Sequence, residues 1–156
     1  MPKMDVAAKV GMFCALAFVT GILTGCPPLV LSNPGAYAAN QKGDSLKIMS
    51  IDHSLPATTL NAISLGAHLT VHVEYNVTSG DGCQILVRPM TGGALTPGYA
   101  ANTPAVFTGI GETDGWFFFD ASADVDQIRV DMIGSDVMQL RPLVLTLILN
   151  IQAQWR

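Results

Sequence analysis

Leu69-Thr70-Val71-His72-Val73-Glu74-Tyr75-Asn76-Val77 is the stretch that decides the fold. Apolar side chains occupy every second position, and Thr70, His72, Glu74 and Asn76 fill the positions between. Successive side chains of a strand point to opposite faces. This spacing therefore describes a strand with one buried and one solvated face. With the two residues before it the strand covers 67–77, and its outer stripe is His68, Thr70, His72, Glu74 and Asn76. His68 and His72 lie about 13 Å apart on such a strand, too far to share a metal ion. The stripe fits a ligand-binding sheet face or an ordinary solvated one.

Working outward, Ser79-Gly80-Asp81-Gly82 has the composition of a tight turn. Cys83–Met90 resumes the alternation with Cys83, Ile85 and Val87 inward, so the two segments are expected to pair as a hairpin. Leu46–Ile51 is an earlier strand, and residues 91–103 read as a loop. Ala105–Ile110 and Gly115–Ala121 are expected to form a second hairpin around Glu112-Thr113-Asp114. Val125–Met132 places Ile128, Val130 and Met132 inward and Gln127, Arg129 and Asp131 outward. Leu143–Trp155 alternates throughout and is apolar on both faces in its first half. That suits a central strand or one packed on a neighbouring copy. Nothing between these segments has a helical period. The sequence thus predicts an all-β chain, a single antiparallel β-sandwich of about seven strands over residues 46–156. The pattern resembles immunoglobulin-like and fibronectin type III-like surface modules in general, without the cysteine pair of antibody domains.

The N-terminus has a different character. Lys3 and Lys9 precede an uncharged run, Met12–Leu23. A basic start followed by about a dozen apolar residues is the layout of an export signal, and it falls short of the ~20 residues of a membrane span. The run ends in Leu23-Thr24-Gly25-Cys26. This resembles the lipobox of bacterial lipoproteins, which implies an export signal over 1–25, acylation of Cys26 and a membrane-anchored protein of the cell envelope. Residues 26–45 then serve as lipid attachment and tether. Ala36-Tyr37-Ala38 is a competing cleavage pattern, and cutting after Ala38 would release a soluble protein.

The chain has 156 residues, with 49% hydrophobic and 13% charged; Lys and Arg number 8 against 12 Asp and Glu. A net charge of −4 cannot build a basic face, so nucleic acid is not an expected partner. Cys83 is the one cysteine in residues 46–156 and reads as a small buried side chain. No nucleophile-elbow, zincin or phosphate-loop motif is present, and an enzyme is not expected. The expected role is a non-catalytic structural or protein-interaction module of the cell surface. The alternatives are a carbohydrate- or small-ligand-binding module and a subunit of an extracellular assembly, including a homo-oligomer.

Two groups of residues are candidates for binding. Tyr99 and the run Trp116, Phe117, Phe118 and Phe119 could offer stacking platforms to a glycan or protein partner, because alternation must turn two of the four outward. Glu112, Asp114, Asp120, Asp124 and Asp126 are close in sequence and supply the oxygen ligands that calcium prefers, though a solvated turn with Asx bonding also fits them.

Overall fold

The structure is a computed structural model, and it describes the backbone of residues 29–31 and all of residues 35–53, 60–135 and 142–156. The expected export signal over 1–25 and the expected lipidation site Cys26 lie outside the described residues. The described part is built of strands: β1 (Leu29–Leu31), β2 (Tyr37–Ala39), β3 (Ser45–Ile51), β4 (Asn61–Ile63), β5 (Leu69–Val77), β6 (Cys83–Thr91), β7 (Ala94–Leu95), β8 (Tyr99–Ala101), β9 (Val106–Phe107), β10 (Gly109–Phe119), β11 (Ala123–Gly134) and β12 (Leu143–Trp155). They form two sheets packed face to face. One runs β2-β3-β5-β10-β8; the other runs β1-β12-β11-β6-β7, with β4 added to β12 and β9 to β6. The all-β sandwich expected from the sequence is the fold observed.

Alternation explains the core. Leu69, Val71 and Val73 of β5 are at most 1% exposed and share one core with Ile128, Val130 and Met132 of β11 and Leu147 of β12, all at 0%. Trp155 is equally buried, and its indole N–H donates to the Ala67 carbonyl at 3.1 Å. Its ring packs on Phe119 and Phe117 with centroids 5.0 and 5.6 Å away. Each such large apolar side chain contributes about 1.5–3 kcal/mol on burial. β12 is an inner strand, with β11 along one edge and β1 and β4 along the other.

Four local expectations are corrected. Ser79–Gly82 does make a turn, with Gly82 N–H bonded to the Ser79 carbonyl, but β5 and β6 do not pair. The turn carries the chain from one sheet to the other. Gly82 is required there: its φ is +77°, and a Cβ would lie 2.6 Å from Val106 Cγ1. Gly109–Gly115 is not a hairpin loop but the first half of the continuous strand β10, in register with β5 from Gly109↔Val77 to Phe117↔Leu69. Its glycines serve close packing; Gly111 and Gly115 face inward against Tyr75 and Val87. The 91–103 segment contains β7 and β8. Finally, the described parts of the expected tether over 26–45 join the sandwich. β1 pairs with β12, β2 pairs with β3, and Ala36 is buried. Asp44 closes the turn after β2, accepting from Asn40, from Thr78 N–H and from the Thr78 hydroxyl. Burial raises its pKa, but these bonds outweigh that and hold the carboxyl below its usual range.

Candidate functional site

The inward residues of β5 and β10 fix where their neighbours point. His68, Thr70, His72, Glu74 and Asn76 stand on the outer face of the five-stranded sheet, as the sequence predicts. β10 adds Glu112, Asp114, Trp116 and Phe118 to that face, the first three beside β5 in the antiparallel register Glu112↔Glu74, Asp114↔His72 and Trp116↔Thr70.

Three rings gather at one end of this face. The imidazole of His68 lies 4.3 Å from Trp116 at an interplanar angle of 11°, and 4.8 Å from Phe118 at 19°. Trp116 and Phe118 are 6.1 Å apart. Trp116 and Phe118, tilted 30° to one another, are half-buried and His68 is exposed, so the group presents ring surface to solvent. His53 approaches from the bend after β3; its Nε2 is 3.3 Å from the His68 carbonyl, and since a carbonyl only accepts, that nitrogen carries the proton.

Next along the face is a charged clasp. His72 Nδ1 is 2.5 Å from Asp114 Oδ1 and His72 Nε2 is 2.7 Å from Asp52 Oδ1. A doubly protonated ring can donate from both nitrogens to this pair of carboxylates. The bonds to Asp52 and Asp114 raise the His72 pKa, and the bond from His72 lowers that of Asp52. Ser50 lies opposite His72 in register, but with both ring nitrogens engaged the imidazole has no lone pair to take a hydroxyl proton. Beside the clasp, Ser50, His72, Glu112 and Asp114 line a depression of about 300 Å³, and Lys47 pairs with Glu74 at 3.3 Å.

The other sequence candidates divide. Phe117 and Phe119 are 0% and 2% exposed, and Tyr99 packs inward beside Phe119. These three belong to the core rather than to a ligand surface, because they fall on the inner half of the alternation. The five acidic residues are not brought together. Glu112 and Asp114 stand on β10, Asp120 in the turn after it, and Asp124 and Asp126 on β11 in the other sheet. Asp124 pairs with Arg156, and Asp126 accepts from Gly92 N–H. Among the described residues no three His, Cys, Asp or Glu side chains converge to hold a metal ion. Asp131 points outward as expected but is 2% exposed, covered by Arg88 and Arg129. Cys83 is buried at the edge of a cleft of about 790 Å³ at the far end of the sandwich, and burial pushes its thiol pKa up, away from nucleophilic use.

No family model, curated protein or solved structure matches the chain. The outer face must therefore be judged by its own side chains. Sequence reasoning found the β5 stripe and the outward aromatics separately. It missed Asp52, and it missed that His68 meets Trp116, because both facts depend on the pairing of β10 with β5.

Proposed function

We propose that the protein is a non-catalytic binding module that recognises a glycan on the outer face of its five-stranded sheet. One observation carries this reading: the exposed His68 ring stacked on the half-buried Trp116 and Phe118 rings, on the same sheet face as the carboxylates of Asp52 and Asp114 held by His72. Flat ring surface stacks on the apolar face of a sugar, and neighbouring carboxylates accept from its hydroxyls. A strand-borne platform is also rigid before binding, so little ordering is required of it. The N-terminal sequence pattern supports placing the module in a bacterial envelope, anchored through Cys26.

Affinity electrophoresis in gels holding a panel of soluble polysaccharides tests the reading. Retardation by at least one of them is expected, with Trp116→Ala weakening it about tenfold, equivalent to about 1.4 kcal/mol. A fully folded Trp116→Ala protein that binds as well as the parent would overturn it. Intact mass of the mature protein from membranes tests the anchor: an unmodified chain starting at Ala39 refutes it.

A further inference from the structure

The outer face of the seven-stranded sheet holds a different charged arrangement. Arg88 of β6 and Arg129 of β11 are direct partners in register. Like charges placed opposite one another across two strands repel, so this pair needs compensation. Asp131 supplies one negative charge. Its Oδ2 lies 2.9 Å from Arg129 Nε and 4.0 Å from Arg88, and its Oδ1 accepts the Thr146 hydroxyl at 2.5 Å. The carboxylate is thus committed to Thr146 and Arg129.

Arg88 is left without an acceptor. Its side chain is only 28% exposed, yet among the described residues its guanidinium makes no hydrogen bond, and its contact with Asp131 is at ion-pair range alone. A guanidinium has five N–H donors in a planar fork. Arg129 uses only its Nε here. Two cations therefore share one anion, and most of their donors remain open on the same patch. Leu86 and Ile148, both half-buried, stand beside Asp131 and Arg129 in register and flank the patch with apolar surface.

We infer that Arg88 and Arg129 form a binding site for an oxyanion, held by the paired guanidinium forks and braced from beneath by Asp131 and Thr146. A carboxylate, sulfate or phosphate group supplies the second negative charge and accepts bidentate bonds that one buried carboxylate cannot satisfy. The site is independent of the glycan face, since it stands on the opposite sheet.

The test is thermal denaturation and calorimetric titration of the purified protein with sodium sulfate, sodium phosphate and sodium hexanoate, against sodium chloride at matched ionic strength. Saturable stabilisation by at least one oxyanion is expected. Tighter binding of hexanoate than of the inorganic ions assigns the natural ligand to an organic carboxylate resting on Leu86 and Ile148; the reverse order assigns it to a sulfate or phosphate group. Arg88→Gln should weaken binding at least tenfold. Arg129→Gln should do the same and also lower stability without ligand, because it exposes the Asp131 charge. No saturable effect beyond chloride, or equal binding by folded Arg88→Gln protein, overturns the inference.

Discussion

Adding one methyl group at Gly115 tests how closely the two sheets approach. Gly115 is a mid-strand residue of β10, and a Cβ there would lie 2.2 Å from Val87 Cγ2 and 3.0 Å from Val87 Cβ on β6. Carbon atoms rest about 3.5–4.0 Å apart, so Gly115→Ala requires a shift of more than about 1 Å. Val87 is 3% exposed and β-branched, with little rotamer freedom to withdraw. Overpacking of this kind costs about 1–3 kcal/mol, and the relief of glycine entropy in a strand returns about 0.5–1 kcal/mol. The expected net loss is about 1–2 kcal/mol, read as a lower urea midpoint at unchanged m-value. Val87→Ala alone should lose about 2 kcal/mol through its cavity. In the double variant the new methyl enters space that Val87 vacates. It should therefore be no less stable than Val87→Ala, with a coupling of about 1 kcal/mol or more. Parent-like stability of Gly115→Ala, or simple addition of the two losses, would refute the close approach.

Three further outcomes are expected. Phe117→Ala should lose about 3–5 kcal/mol and Trp116→Ala far less, because only Phe117 faces the core; chemical denaturation of both variants checks the alternation. The His72 clasp should add stability that is complete below about pH 6.5 and fades as pH rises through the raised His72 value, and that also fades as pH falls through the lowered Asp52 value. All three groups are more than a third exposed, so the effect should stay below about 1 kcal/mol, and His72→Gln should flatten the profile of urea midpoints between pH 6 and pH 8.5. A chain beginning at Ala39 should be markedly less stable than one beginning at Pro27, since it lacks β1, buried Ala36 and most of β2. Equal melting temperatures of the two would show that β1 and β2 contribute nothing.

What could be read from the sequence was what is local. The two-residue period of Leu69–Val77 and Leu143–Trp155 reflects burial of one face, and burial leaves its mark on each side chain in turn. Pairing leaves no such mark. Ser79–Gly82 has the same turn chemistry whether the next strand folds back beside β5 or crosses to the opposite sheet. Gly111 and Gly115 look like loop glycines in sequence, but they are set by Tyr75 and Val87, distant along the chain. The candidate site was half legible for the same reason. Alternation turned Trp116 and His68 outward, while their contact, and the meeting of His72 with Asp52, required the register of three strands.

The place of β12 has a kinetic consequence. It is the last described strand in the chain, yet it is the partner of β1 and β4 as well as β11. Leu29 pairs with Leu147, and Asn61 with Ala153. The β11 pairing is between neighbours in sequence, but the β1 and β4 pairings are not, so for these loop closure must come before the contacts that reward it. Domains of such high contact order fold in about milliseconds to seconds rather than microseconds. Until β12 is present, β11 has a bare edge and β1 has no partner, and the growing chain has no complete sheet to settle into. That delay would serve the export proposed above, and it also lengthens the interval in which open strand edges can meet those of another copy.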